Sequence, residues 1–424
     1  MPSSTGFAQT ALDIHAGASI MRIGQLSATL AMAALLATSC ALGQVQTEPL
    51  ALATIDDGNA AVYLANPGAG LPNPTQEVYS LPPGTRPHGV AFLGQQVLYQ
   101  DFVNPRIFRI NPQAPGTVPI ITLTGRTRGN GSLAVDPSQR YALSIGESLG
   151  APSVGEAVVV DFGLTPPRVD PVAGGLRVLS FVSSAIDFAP DGRAFVCHTD
   201  GISVLSPPYR TIDFTMAFPP VVQSPSVCRL SRDGSRLFVT RVLSETSPSV
   251  NGIRTTEAPY SADSVFTVLP APSDVQGLAA IAVAPDGQAI LVGQQFLFPP
   301  DFAGTRAQLF LLRAPFDADT LYERIELPPA VSGLNCSDGG QLIQCPGFEH
   351  IELSRDGSLA VVTGNSGVQT GDTGDRVPAI FIGHPFDDDN RSIAVVQIGL
   401  PGAEGRGAGG VAFASEVLLR DSFE

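Results

Sequence analysis

The chain has 424 residues, and its 44 glycines and 37 prolines exclude a mainly helical protein and favour many short strands joined by tight turns. The net charge of −15 argues against nucleic acid or anionic membrane partners. All 24 basic residues are arginine, which excludes chemistry that needs a lysine side chain.

The first 43 residues have the organisation of a targeting segment. Arg22 precedes an apolar run over residues 26–36, and Ala41 and Gly43 supply the small residues that a signal peptidase requires. We expect cleavage to release Gln44 and to export the chain to the periplasm or the extracellular space. Residues 1–20 are interpreted as an upstream extension. The apolar run is too short for a transmembrane span.

A short hairpin pattern recurs along the rest of the chain. Its clearest copy is residues 185–196, where Pro190-Asp191-Gly192 predicts a tight turn between two strands. Three copies resemble it closely, over residues 227–239, 281–292 and 351–362. Three looser copies cover residues 90–99, 133–143 and 411–419. The sequence therefore predicts seven repeated units, each opened by such a hairpin.

The spacing of the hairpins predicts the architecture. The last large apolar residues of the seven first strands are Phe92, Val135, Phe188, Leu230, Val283, Leu353 and Phe413. The shortest intervals match the ~40–45 residues of a four-stranded propeller blade, and the longer ones indicate insertions. Residues 60–64 and 77–81 supply outer strands for the C-terminal inner hairpin. We therefore predict an all-β, seven-bladed β-propeller over residues 44–424, closed by both termini.

Two units repeat in detail, and one is weak. Pro315-Phe316-Asp317 and Pro385-Phe386-Asp387 follow strands in the fifth and sixth units at the same interval as the register residues of those units. In the fourth unit only residues 264–269 are recognisable as a strand after the hairpin. Long insertions are predicted over residues 244–262, 294–306, 328–348 and 365–378.

The cysteines leave several alternatives open. A lipoprotein motif with acylation of Cys40 competes with the simple signal peptide. Cys336 and Cys345 bracket a loop that a disulfide would close. Cys197 and Cys228 lie in predicted strands of neighbouring units, either bridged or as two buried thiols.

The amino-acid pattern of the repeats resembles that of the YVTN-type propeller family, which includes exported surface-antigen and lactonase-like members. The resemblance rests on residues 86–92 (Arg-Pro-His-Gly-Val-Ala-Phe), 281–287 (Ile-Ala-Val-Ala-Pro-Asp-Gly) and 237–240 (Leu-Phe-Val-Thr). The Thr-Asn that normally follows the second strand is mostly missing, with residues 362–365 the nearest match. The resemblance implies seven blades around a central channel, a scaffold that serves binding proteins and enzymes alike.

The predicted topology places the long loops and the starts of the first strands on one face. The candidate ligand-binding residues near this mouth of the channel are His88, Asp101, Glu147, Asp200, Glu349 and His350. His88 and His350 stand in different units without close partners, a pattern more typical of structural histidines.

Other acidic residues have weaker claims to function. Asp372 and Asp375 are a candidate calcium site, although their loop matches no EF-hand spacing. Asp187, Arg229 and Glu352 share one register position where other units have alanine, which predicts a mainly structural charge network around the channel. Asp317, Asp319 and residues 387–389 are expected to cap turns on the opposite face.

Two motif matches are rejected on their context. Residues 146–150 fit the Gly-x-Ser-x-Gly nucleophile pattern but are not followed by a helix. Residues 405–410 fit the dinucleotide-binding glycine pattern but precede a predicted strand.

Together these features favour a non-catalytic, monomeric binding scaffold for an unidentified protein or small molecule, with no resident cofactor. The alternative is a lactonase-like hydrolase that uses acidic and histidine side chains at the channel mouth. A quinone-dependent dehydrogenase is disfavoured by the absence of tryptophan and lysine.

Overall fold

The computed structural model describes residues 50–56, 59–65, 76–80, 82, 87–101, 104–114, 118–148, 151–174, 176–179, 185–198, 201–218, 225–241, 252–272, 275, 278–294, 308–329, 337–338, 343–344, 348–364, 379–396 and 407–414. These residues form 31 β-strands. No helix in them is long and apolar enough to cross a membrane.

Six sheets consist of four or five strands that follow one another along the chain, and we number them as blades 1 to 6. Blade 1 contains β4 (Pro87–Leu93), β5 (Gln96–Asp101), β6 (Arg106–Ile110) and β7 (Ile120–Thr122). Blade 2 contains β8 (Arg126–Val135), β9 (Tyr141–Ser148), β10 (Ala151–Asp161), β11 (Arg168–Pro171) and β12 (Arg177–Leu179). Blade 3 contains β13 (Ile186–Phe188), β14 (Ala194–His198), β15 (Gly201–Leu205) and β16 (Phe214–Ala217).

The other three blades have the same antiparallel order. Blade 4 contains β17 (Pro225–Leu230), β18 (Arg236–Arg241), β19 (Ile253–Glu257) and β20 (Thr267–Leu269). Blade 5 contains β21 (Leu278–Val283), β22 (Ala289–Gln294), β23 (Leu309–Arg313) and β24 (Glu323–Ile325). Blade 6 contains β27 (Phe348–Leu353), β28 (Leu359–Gly364), β29 (Ala379–Gly383) and β30 (Ser392–Val396). The prediction of an all-β propeller is confirmed.

A further four-stranded sheet, the terminal sheet, joins the two ends of the described chain. It contains β1 (Leu50–Asp56), β2 (Asn59–Ala65), β3 (Gln76–Ser80) and β31 (Gly407–Phe413), in the order β3-β2-β1-β31. The prediction that both termini share one sheet is confirmed. Its composition differs, because β1 pairs with β31 and takes the second position that we had given to residues 415–419. Those residues lie outside the described part of the chain.

The Asp-Gly hairpins adopt the predicted turns. Gly192 and Gly234 have φ values of 87° and 71°, which only glycine adopts without strain. In blade 4 the Asp233 carboxylate accepts hydrogen bonds from the Ser231 and Ser235 hydroxyls, at 2.6 and 2.8 Å, and from the Ser235 amide at 3.0 Å. These bonds lower the pKa of Asp233 to about 2 and hold the turn closed.

Adjacent blades pack through buried apolar side chains. Cys197 of β14 and Cys228 of β17 form a disulfide between blades 3 and 4, which resolves the alternative left open by the sequence. Phe195 packs edge-on against Tyr260 across the same interface, with ring centroids 5.1 Å apart. One blade further on, Phe238 meets Phe316 in the same way at 4.9 Å. Successive blades therefore share one packing scheme.

Two predicted loops contain strands. The segment 244–262 includes β19, whose polar sequence Ile-Arg-Thr-Thr-Glu hides a strand that is nevertheless buried at four of five positions. The insertion 328–348 includes a small hairpin, in which β25 (Ser337–Asp338) pairs with β26 (Ile343–Gln344). The predicted disulfide between Cys336 and Cys345 involves residues outside the described part, although the adjoining residues Ser337 and Gln344 are paired.

Candidate functional site

The innermost strands enclose a cavity of about 420 Å³. Its lining comes from β4, β8, β13, β17, β21, β27 and β31, so that every blade contributes its first strand and the terminal sheet contributes its edge strand β31. Each strand contributes its residues at nearly the same level, because the hairpin turns fix a common register. The cavity is therefore the central channel that the propeller prediction implied.

One register position decides the chemistry of this channel. Four of the seven strands place alanine there: Ala91, Ala134, Ala282 and Ala412. The other three place Asp187, Arg229 and Glu352 there, all of which line the cavity. The alanine side chains leave space in the cavity for the three charged side chains. At this level the cavity contains two carboxylates and one guanidinium.

The three charged groups interact, so the predicted charge network is confirmed. Arg229 Nη2 donates to Glu352 Oε1 at 2.7 Å, which links blade 4 to blade 6 and bypasses blade 5. Asp187 Oδ2 accepts the Leu230 amide at 2.7 Å, which ties blade 3 to blade 4. The network is thus both a brace between blades and a polar surface inside the channel.

Burial dominates the pKa shifts of the two carboxyl groups. It raises the pKa of Asp187, and the positive charge of Arg229 and two backbone hydrogen bonds offset this only partly. Burial likewise raises the pKa of Glu352 against the opposing effect of Arg229, and the charge of Asp187 adds to the rise. The Glu352 side chain is 32% exposed where it lines the channel, so solvent moderates this rise.

The arginine responds in the opposite sense. Burial alone would lower the pKa of Arg229, but the two carboxylates outweigh it and raise that pKa. Arg229 therefore stays charged, while Asp187 and Glu352 hold their protons more tightly than exposed carboxyls do.

Of the predicted site residues, His350 lines the channel, whereas Asp101 has a structural position in blade 1. His350 lies on β27, is buried and lines the channel two residues before Glu352. Asp101 is fully buried at the end of β5, where it accepts Arg106 Nε at 2.8 Å and Asn104 Nδ2 at 2.7 Å and holds the connection to β6. His88, Glu147 and Glu349 lie on β4, β9 and β27, but their side chains are outside the description.

The remaining candidates fall outside the described residues, namely Asp200, Asp372 and Asp375. Within the described ranges, no group of three or more His, Cys, Asp or Glu side chains is arranged to hold a metal ion. The rejected nucleophile pattern at residues 146–150 leads from β9 into the strand β10, the context that argued against it.

The opposite end of the channel is tied across by the hairpin turns. Arg232 Nη1 of blade 4 donates to the Arg355 carbonyl of blade 6 at 2.7 Å. The Gly94 amide of blade 1 donates to Gln139 Oε1 of blade 2 at 2.8 Å. Sequence analysis did not predict these contacts, because they depend on how far each turn projects towards the axis.

Comparisons with known proteins identify the fold. No family model matches the chain, and no curated protein matches it. Among solved structures, a hypothetical selenium-binding protein from Sulfolobus tokodaii is similar over 88% of this chain and 95% of its own, with TM-score 0.58 and 11% identity. A protein from Lactobacillus plantarum covers 87% and 100%, with TM-score 0.54 and 15% identity.

A third similar structure is a candidate 6-phosphogluconolactonase from Bacteroides fragilis, which covers 88% of this chain and 99% of its own. Its TM-score is 0.53 and its identity is 10%. At these identities the likeness establishes the propeller fold and nothing more specific.

Proposed function

We propose that this chain is an exported, monomeric binding scaffold that takes a small molecule or a partner segment into the channel from the long-loop face. The observation that supports it is the 420 Å³ cavity, in which alanines leave space beside the three charged side chains. A cavity of this size with few, convergent polar groups is typical of small-molecule sites.

The ligand proposal is tested by filling the channel. We would screen metal ions and small molecules for thermal stabilisation of the mature protein, and then repeat any positive with Ala282→Leu, which occupies the cavity. Ala114→Leu is the matched control, because Ala114 is exposed on the turn after β6. The proposal requires stabilisation of the wild type and the control but not of Ala282→Leu. Glu352→Gln provides a second channel variant that keeps the side-chain volume.

The proposal fails if nothing in the screen stabilises the wild type, or if Ala282→Leu binds equally well. Calcium belongs in the same screen, because the candidate residues Asp372 and Asp375 have not been tested. A raised melting temperature in calcium that is lost in Asp372→Asn would identify that site.

A second candidate function is hydrolysis of a lactone-like ester. A carboxylate with a raised pKa, here Glu352 or Asp187, is suited to act as a general base, and Arg229 is suited to stabilise a developing oxyanion. Hydrolysis of a lactone panel by the wild type that is lost in Glu352→Gln would favour the enzyme. Absence of hydrolysis by the wild type would exclude the enzyme. Equal hydrolysis by the two proteins would exclude Glu352 as the base, and Asp187→Asn then tests the other carboxylate.

We further propose that the terminal sheet is a seventh blade and that the chain belongs to the YVTN-type, lactonase-like class. Contacts of β31 with β4 of blade 1 and with β27 of blade 6 support this, because a closing blade must touch both neighbours. Deleting residues 44–65 is then expected to abolish cooperative unfolding of the whole domain, measured by circular dichroism. A six-bladed ring would survive the deletion.

Export follows from the N-terminal segment and is supported by the disulfide between Cys197 and Cys228, since such bonds form in oxidising compartments. The proposal is tested by the mass of the mature protein. An N-terminus at Gln44 supports simple secretion, whereas a lipid-modified Cys40 identifies an anchored lipoprotein.

A further inference from the structure

A second cavity, of about 680 Å³, lies between blades 4 and 5 and shares no residue with the channel. We call it the interblade groove. Its walls are β18, β19 and β20 of blade 4 together with the turns 286–288 and 314–316 of blade 5. Its lining includes Asp233 and Asp286 of two Asp-Gly turns and none of the candidate residues of the channel mouth.

Hydroxyl and carboxylate groups dominate this lining. The hydroxyl residues are Ser231, Ser235, Thr255, Thr256, Ser261, Ser264 and Thr267. The charged residues are Asp233, Glu257, Asp263, Asp286 and a single arginine, Arg236. Arg236 is ion-paired with Glu257 and lies over the ring of Phe316, 5.2 Å from its centroid. The groove is therefore polar, net negative and floored by one aromatic ring.

One buried hydroxyl in this groove has no hydrogen-bond partner among the described residues. Thr255 is only 3% exposed, and its Oγ1 atom is buried without an acceptor or donor in reach. Leaving a buried hydroxyl unsatisfied is costly, and native structures do it rarely. Thr255 lines the groove, so rotation of its side chain towards the cavity would let a bound molecule supply the missing partner.

The repeat shows that this hydroxyl is exceptional. In blade 4 the Arg236 carbonyl accepts the Ser231 amide and closes the hairpin. Phe238 follows two residues later, and Thr255 is its partner on the neighbouring strand. The residues at the same position in blades 2, 3, 5 and 6 are Val159, Val204, Leu311 and Phe381. All four are buried and apolar, so the fold itself does not need a polar side chain here.

The chemistry of the lining restricts the ligand. Four carboxylates against one guanidinium repel anions. An apolar molecule would leave the hydroxyls and carboxylates without partners. A neutral molecule with several hydroxyls satisfies both kinds of group, because each hydroxyl donates to a carboxylate and accepts from a threonine or serine. We propose that the interblade groove binds a neutral, pyranose-sized sugar, with Thr255 Oγ1 as its buried hydrogen-bond partner.

The test uses sugars as probes and a threonine-to-valine substitution. We would measure saturation-transfer difference NMR of methyl α-glucopyranoside, methyl α-galactopyranoside and methyl α-mannopyranoside with the mature protein. At least one is expected to give a transfer signal, and Thr255→Val is expected to weaken its binding by about tenfold, the effect of one lost buried hydrogen bond.

The matched control is Thr363→Val. Thr363 is fully buried on β28 of blade 6, its Oγ1 also lacks a partner among the described residues, and it does not line the groove. We expect Thr363→Val to bind sugar like the wild type. Ala282→Leu should also leave sugar binding unchanged, which separates this site from the channel.

Absence of a transfer signal from all three sugars would overturn the proposal. So would a signal that Thr255→Val leaves unchanged, or one that Thr363→Val reduces equally. Because valine is the residue type at this position in blades 2 and 3, failure of Thr255→Val to fold is not expected, and a circular dichroism melt verifies it.

Discussion

Two neighbouring interfaces between blades share one packing scheme, but one is cross-linked by a disulfide and the other contains a cavity. Between blades 3 and 4, the disulfide of Cys197 and Cys228 and the pair of Phe195 with Tyr260 seal the contact. Between blades 4 and 5, the aromatic pair is kept, but Thr240 stands where the register places Cys197, and the interblade groove lies between these two blades. In a repeated backbone, the same packing scheme therefore carries a covalent bridge at one interface and a polar cavity at the next.

The largest expected effect comes from opening the sealed interface. Replacing Cys197 and Cys228 together by alanine removes a cross-link that spans 31 residues. The chain-entropy model assigns such a loop about 4 kcal/mol of unfolding free energy. Urea unfolding of the oxidised wild type and the double variant measures the loss. A loss below about 1 kcal/mol would mean that the aromatic packing, and not the disulfide, holds this interface.

A reciprocal exchange sharpens the comparison further. Thr255→Val gives blade 4 the residue type of the sealed interface and is expected to raise the unfolding free energy by about 1 kcal/mol, because it removes an unsatisfied buried hydroxyl. Val204→Thr gives blade 3 the residue type of the groove. It is expected to cost about 1 to 3 kcal/mol for the opposite reason.

Both variants are measured by urea unfolding without ligand. Equal effects of the same sign would show that the two positions are not equivalent, which would contradict the alignment of the blades. Thr363→Val again serves as the reference for removing a buried hydroxyl elsewhere in the propeller.

The charge network in the channel predicts a pH dependence. Burial raises the pKa of Glu352 in the folded state, so between its unfolded and folded pKa values the folded protein binds more protons than the unfolded chain. Glu352 therefore lowers stability progressively as the pH rises through that window. Glu352→Gln, which stays neutral, should gain stability relative to the wild type over the same window.

The measurement is the difference between the unfolding free energies of the two proteins from acid to neutral pH. Subtraction removes the carboxylates with lowered pKa values, which contribute in the opposite direction. A difference that is independent of pH would show that Arg229 compensates Glu352 completely. If Glu352→Gln instead loses stability relative to the wild type as the pH rises, the ion pair with Arg229 outweighs the cost of burying Glu352.

The propeller could be predicted from the sequence because the residues of each Asp-Gly turn determine the conformation of that turn locally. The Asp-Gly hairpins set the register, and the register alone brought Asp187, Arg229 and Glu352 to one level of the channel. The blade 4 strand β19 escaped notice because threonines replace the apolar residues expected of a buried strand. The groove was missed with it, since Thr255 lies on that strand.

A proline followed by an aromatic residue is a second sequence signal of the repeat. Pro208-Tyr209 and Pro259-Tyr260 occupy the turn after the third strand, as do Pro315-Phe316 and Pro385-Phe386. Only the latter pair was recognised, because insertions of different length separate these turns from the hairpins. Contacts that depend on turn projection, such as Arg232 with the Arg355 carbonyl, have no sequence pattern.

The smallest expected effect lies at the hairpin turn of blade 4, on the edge of the groove. Hydrogen bonds from Ser231 and Ser235 lower the pKa of Asp233 to about 2, so the ionised carboxylate stabilises the turn above its unfolded pKa near 3.8. That contribution is lost as the pH falls towards 2. Asp233→Asn should therefore lower stability slightly at neutral pH and make no difference in strong acid, since the side chain is exposed and solvent screens it.

Blade 6 offers the matched control for this turn. Ser354, Asp356 and Ser358 repeat the same hydrogen bonds, and the pKa of Asp356 is also lowered, although burial acts against the shift there. Asp356→Asn should follow the same pH profile as Asp233→Asn. If only the blade 4 variant also changes sugar binding, Asp233 positions the wall of the interblade groove; if both variants or neither do so, its role is confined to the turn.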